Sequence, residues 1–157
     1  MRKRITAQDQ KVSSDAKVNW LSLDECAEVE VTSEDENYPI ESALTNEEST
    51  GWRASEPGKQ TIRLHFDHPQ NLQRIWLNFL ETNNDRTQEY VLCWSPDNGQ
   101  SFKEIVRQQW NFSPPSTTSE IEDHRVGLQG VNILELTITP DISGGDSPAS
   151  LARLQLA

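Results

Sequence analysis

The sequence has no apolar run approaching the roughly 20 residues that a membrane-spanning helix requires. Its basic start, Met1-Arg2-Lys3-Arg4, is not followed by the apolar stretch of a secretory signal. These absences lead us to expect a cytoplasmic protein with no membrane partner. Basic residues are scarce: 14 Lys and Arg stand against 25 Asp and Glu, a formal charge of −11. Such a chain repels phosphate backbones and anionic lipid, which recruit clustered cations, so nucleic acid is not an expected partner. Two cysteines, Cys26 and Cys93, are too few for a disulfide scaffold and show no metal-type spacing. Both read as small buried hydrophobes. Catalytic signatures are missing too: there is no Gly-x-Ser-x-Gly elbow, no His-Glu-x-x-His helix and no phosphate-cradling glycine loop entering a helix. Gly144-Gly145-Asp146-Ser147 is followed by Pro148 and leads into a strand. An enzyme is not expected.

What is present is alternation. In Thr61 to Asp67, Ile62, Leu64 and Phe66 share one face while Arg63, His65 and Asp67 take the other. That period of two marks a strand with one face on a core. Pro69 and Asn71 break the run, after which Ile75, Leu77 and Phe79 resume it, and Tyr90, Leu92 and Trp94 continue it beyond a polar loop. Asn98-Gly99 supplies the positive φ angles of a tight hairpin, with Phe102 to Trp110 as the returning strand. Pro114-Pro115 ends it. Cys26 to Val31, Ser119 to Val126, Val131 to Thr139 and Ser150 to Leu156 read as further strands, and Pro39 to Leu44 as a helical turn. The expected fold is all-β: an antiparallel jelly-roll β-sandwich of about eight strands with short helical turns. Residues 1–17 are polar and lack periodicity, so they read as a flexible arm. Residues 18–157 form the sandwich domain, and 157 residues fit one core.

Three segments carry a resemblance. Ala43-Leu44-Thr45-Asn46-Glu47-Glu48-Ser49-Thr50-Gly51-Trp52 is similar to an Ala-x-Asp-Gly-x-x-x-Thr-x-Trp segment. Tyr90 to Phe102 resembles a strand followed by a Ser-x-Asp-Gly turn and an aromatic residue. Ser150 to Leu156 is similar to a closing Ala-Glu-x-x-Val strand. In this order they resemble the discoidin-like, galactose-binding-like superfamily, which includes coagulation-factor type C domains and bacterial carbohydrate-binding modules. The resemblance implies a non-catalytic binding module that takes a carbohydrate on loops at one end of the sandwich. Some members hold a structural calcium through the Asp-Gly loop and the late Glu. Here Thr45 and Asn46 stand in the loop and Arg153 replaces the Glu. A fixed guanidinium does the charge balancing that a cation would, so calcium is disfavoured and no cofactor is expected.

A sugar site needs an aromatic face beside planar donors and acceptors. Asn83, Asn84 and Arg86 lie on one predicted loop, and Trp110, Asn111 and Phe112 at one strand end. If both lie at the same end of the sandwich, these six form the ligand site. Each has a plainer reading: Trp110 and Phe112 as core caps, and Arg86 in a surface salt bridge with Asp85 or Glu89. Trp52 reads as closing one end of the core, Trp94 as inward-facing and His124 as solvated. His65 and Asp67 share a strand face without a third metal ligand. Trp76, Asn78 and Leu80 share the outer face of their strand, where an apolar patch would mark a protein contact. Cover from the N-terminal arm is the plainer account of that patch. The partner is thus a glycan or, alternatively, a protein docked on an exposed sheet face, and the oligomeric state stays open.

Overall fold

The computed structural model describes residues 18–45 and 50–157. The reading of residues 1–17 as an arm lies outside the described residues. Among those described, eight strands and two short helices follow one another. They are α1 (Leu23–Cys26), β1 (Ala27–Val31), α2 (Glu41–Leu44), β2 (Trp52–Pro57), β3 (Gln60–Leu80), β4 (Arg86–Ser95), β5 (Lys103–Phe112), β6 (Ser119–Thr139), β7 (Pro148–Leu151) and β8 (Arg153–Leu156). All pairings are antiparallel, and the fold is the expected all-β sandwich.

The two layers are made by two strands that each run through both. The first part of β3 pairs with the second part of β6 (Ile62 opposite Leu136), and β1, β4 and β5 extend that layer. The later part of β3 pairs with the first part of β6 (Leu77 opposite Glu122) and with β8 (Leu77 opposite Leu154), forming the second layer. Register shifts between His65 and Arg74 mark the bend. Pro69 and Asn71 therefore do not separate two strands. They sit where one strand crosses between layers, and a bulged corner tolerates the missing proline donor. The same holds for β6, where Gly130, at φ 70°, precedes Val131. Cys26 closes α1 rather than opening a strand.

The core is the alternation made solid. Ile62, Leu64, Leu77, Phe79, Tyr90, Leu92, Leu136 and Ile138 are all buried between the layers. Phe79 and Tyr90 meet across them with ring centres 5.2 Å apart. Trp52 is buried and donates its indole N–H to the Ser33 carbonyl at 3.1 Å, so it closes one end of the core as expected. Trp94 departs from its expected inward position. The register shift after Leu92 leaves its ring half-buried, with the Lys103 ammonium 5.3 Å from the ring centre.

Candidate functional site

One end of the sandwich carries a cleft of about 270 Å³. One wall is the loop from Glu81 to Asn84, between β3 and β4; Pro148 to Ala152, spanning β7, forms another, and Tyr38, Trp52 and Arg53 close it. The end of the loop that precedes β2 is fixed by Gly51. Its φ of +78° is accessible to glycine, and a Cβ there would lie 2.6 Å from the Leu151 carbonyl oxygen. The next residues are tied to the 35–38 turn: Arg53 donates its N–H to the Tyr38 carbonyl at 3.2 Å, and its own carbonyl accepts from Asp35 at 2.8 Å. Trp52 points into the core, so Arg53, its neighbour on the strand, points out. The Arg53 guanidinium lies 4.4 Å from the centre of the Tyr38 ring.

The opposite wall is built by Glu81. Its Oε2 accepts the backbone N–H groups of Asn83 at 3.0 Å and Asn84 at 3.3 Å, which folds the loop over its own carboxylate. Its Oε1 accepts from Arg86 Nε at 2.6 Å. Burial by itself raises the Glu81 carboxyl, but the Arg86 hydrogen bond and the two loop N–H groups outweigh it and hold the group below the ordinary carboxylate range. Both asparagine side chains are exposed at the rim. Leu80, 49% exposed, adds an apolar wall beside them.

The six residues singled out from the sequence divide. Asn83 and Asn84 line the cleft. Arg86 does not, and neither does it lie on the surface with Asp85 or Glu89. Its side chain is wholly buried; besides Glu81 it donates from Nη1 to the Pro140 carbonyl at 2.8 Å and to Gln88 Oε1 at 3.1 Å. Phe112 is buried beneath it, 4.6 Å from the guanidinium carbon to the ring centre. Trp110 and Asn111, on β5, are not among the residues lining the cleft. Trp110 is 36% exposed and pairs with Gln88, and Asn111 accepts the Thr87 hydroxyl at 2.6 Å. Tyr38 and Arg53 escaped the sequence reading, because the contact joining them links a turn to a strand start and leaves no periodic trace.

Behind Arg86 the polar contacts continue inward. Gln88 Nε2 donates to Glu120 Oε1 at 3.1 Å, and the Tyr90 hydroxyl meets His124 Nε2 at 2.7 Å, bridging the layers. His124, expected in solvent, is thus half-buried on the inner face of β6. Burial, with the Glu122 carboxylate alongside, pushes Glu120 up to about 8. Glu120 Oε2 and Arg86 Nη2 are buried without a hydrogen-bond partner among the described residues. His65 pairs with Glu30, and among the described residues no group of three or more His, Cys, Asp or Glu is placed to hold a metal ion. In the segment resembling a calcium loop, Asn46, Glu47 and Glu48 lie outside the described residues, while Thr50 is exposed in the cleft and Arg153 pairs with Asn78 across β3 and β8.

Residues 28–150, most of the chain, match the F5/8 type C domain. The chain belongs to that family. No curated protein sequence matches it. Among solved structures, this F5/8 type C domain is similar to the Clostridium perfringens module CpGH89CBM32-5 in complex with GalNAc-β-1,3-galactose. The two share 18% identity at a TM-score of 0.64, over 88% of this chain and 99% of that one. It is also similar to the family 32 carbohydrate-binding module of C. perfringens NanJ in complex with galactose, at 17% identity and TM-score 0.61, over 87% and 96% of the chains. A third is the module of AlyQ in complex with 4,5-unsaturated mannuronic acid, at 16% identity and TM-score 0.54, over 84% and 95%. At these identities the likeness concerns the fold. The neighbours are mainly carbohydrate-binding modules, a non-catalytic kind.

Proposed function

We propose that the domain is a non-catalytic carbohydrate-binding module and that the cleft between Tyr38 and the Asn83–Asn84 loop holds the sugar. The observation that carries this reading is the composition of the cleft. Its lining combines apolar surface from Leu80 and Tyr38 with the planar amides of Asn83 and Asn84 and the Arg53 guanidinium. Pyranose rings present C–H faces and hydroxyl edges, so a site that combines apolar surface with planar polar groups is complementary to them. The sugar complexes of the family 32 neighbours support the same reading. Most glycoside hydrolases use two carboxyl groups, one of them a proton donor. The described lining residues include one carboxylate, Glu81, held ionised by Arg86. That favours binding over turnover.

A glycan array followed by calorimetry tests the proposal. The purified domain is expected to bind a glycan, the Asn83→Ala, Asn84→Ala double variant to lose at least tenfold in affinity, and Trp110→Ala to bind as the parent does. Loss through Trp110 with the asparagine variant unaffected would move the site to β5.

A protein partner is the second reading, and its support is an exposed apolar patch that meets the cleft at Leu80. Ile121 is 59% exposed on β6 next to Asn78, and Leu80 is exposed at the end of the adjoining strand. Of the N-terminal residues that are described, Leu23 is in the core and Trp20 lies against Arg74, 5.1 Å from ring centre to guanidinium.

A further inference from the structure

The polar groups of the cleft are unbalanced in a way that specifies its ligand. Glu81 is the one carboxylate among the described lining residues, and its oxygens already accept three N–H groups. Arg53 is the one cation there. No acidic side chain of the described residues lies within ion-pair distance of its guanidinium, and its described side-chain contact is the Tyr38 ring. Stacking on an aromatic face orients a guanidinium while leaving its edge N–H groups free. The backbone beneath is fixed by the two hydrogen bonds to Tyr38 and Asp35, so the fork is presented from a tied strand start.

We propose that this cleft selects sugars bearing a carboxylate, of the uronic acid class, with Arg53 as the anion-binding group. The inference rests on the reading of the cleft as a glycan site. A sugar hydroxyl accepts from a guanidinium through a single uncharged oxygen. Here the one carboxylate of the described lining is engaged by three N–H groups, and the five-donor fork of Arg53 has no ion-pair partner among the described residues. A carboxylate accepts through both oxygens and donates nothing, and it matches the guanidinium edge in a bidentate pair. The chain's overall charge of −11 limits the length of such a ligand. Repulsion of a long polyanion acts over a Debye length of about 8 Å at physiological salt. A single acidic residue against Arg53 gains a local contact, whereas each further carboxylate adds repulsion from a chain of net charge −11. Short acidic oligosaccharides or chain ends are therefore the favoured form.

The test compares acid with ester. Trisaccharides of galacturonate, glucuronate and mannuronate are titrated beside their methyl esters, which keep the ring and remove the charge. At least one acid is expected to bind tenfold or more tightly than its ester, with affinity falling as salt rises. Arg53→Gln is expected to abolish the preference and leave the melting temperature unchanged, since the side chain is exposed. Arg53→Lys, a charge without the fork, should retain part of it. Esters or neutral glycans bound as tightly as the acids, with Arg53→Gln silent, would overturn this inference and leave the carbohydrate-binding reading standing. If no acid, ester or neutral glycan binds, both fall together.

Discussion

The Arg86 guanidinium lies 4.6 Å from the centre of the Phe112 ring, the two facing each other across β4 and β5 with both side chains buried. The aromatic ring serves as the floor of a buried charge. Above it Glu81 neutralises that charge, and Gln88 and the Pro140 carbonyl take two further bonds from the guanidinium. Because Glu81 also holds the Asn83 and Asn84 amides, the loop at the cleft is anchored to the core through one ion pair.

Removing that anchor has a definite expected cost. Arg86→Ala leaves Glu81 largely buried and unpaired, a loss of about 3 kcal/mol by analogy with other broken buried pairs. Arg86→Lys keeps the charge but lacks the fork that reaches Glu81, Gln88 and Pro140 together, so it should recover only part of the loss. Urea denaturation of the three proteins measures this. An Arg86→Ala midpoint equal to the parent's would show that the buried contacts do not contribute.

The strand pattern was legible because alternation is local. Ile62, Leu64 and Phe66, then Ile75, Leu77 and Phe79, betray one buried face each. The bend joining them into β3 was not, because Pro69 punctuates a strand end and a layer crossing alike. Arg86 reads from the sequence as a ligand contact or, more plainly, as half of a surface ion pair with Asp85 or Glu89. Its partner Glu81 lies five residues back, in a loop whose shape depends on that same contact. Of the cleft, Asn83 and Asn84 were visible. Tyr38 and Arg53 were not, since a cation–aromatic contact between a turn and a strand start depends on tertiary placement alone.

The cysteines should react slowly. Burial, and then the nearby Asp67, Asp24 and Glu25 carboxylates, raise the Cys26 thiol; burial, Glu135 and Glu104 raise Cys93. The thiolate is the reactive form, so each should modify more slowly than free cysteine at about pH 8. A disulfide-exchange reagent followed by absorbance reads the two rates, and unfolding in guanidinium should accelerate both. Native rates matching free cysteine would contradict the half-buried, acid-flanked setting.

Two glycines separate backbone strain from collision. Gly51 and Gly58 both have positive φ, at 78° and 89°, but a Cβ on Gly58 meets nothing within 4 Å while one on Gly51 strikes the Leu151 carbonyl. Gly58→Ala should cost about 1 kcal/mol from the left-handed conformation alone. Gly51→Ala should cost at least about 1 kcal/mol more, because its obstruction is backbone that cannot swing aside. Thermal unfolding of both variants gives the comparison. Equal costs would mean that the strands beside Gly51 yield freely. As Leu151 and Ala152 also line the cleft, glycan affinity should fall with Gly51→Ala and hold with Gly58→Ala.

The buried acid between the layers predicts an unusual alkaline limb of stability. Glu120 is raised by burial first and by Glu122 second, from 4.5 to about 8, with Gln88 and Arg86 opposing. A carboxyl with a raised folded-state value keeps its proton longer in the native protein than in the unfolded chain. Between about pH 4.5 and 8 the native state therefore binds more protons, and its stability declines as pH rises, by at most about 1.4 kcal/mol per unit from this group. Above about 8 the decline levels off. Glu81 and Asp123 behave oppositely: burial raises Glu81 but its hydrogen bonds outweigh it, Arg74 lowers Asp123, and their contribution is lost as pH falls through those depressed values. Stability should thus peak in mildly acid solution. Glu120→Gln replaces the neutral acid with a neutral amide of nearly the same shape. It should flatten the decline, leaving the variant close to the parent at about pH 5 and more stable than it at about pH 9. Urea midpoints across that range decide the matter, and parallel profiles for the two proteins would mean that Glu120 is ionised in the fold throughout.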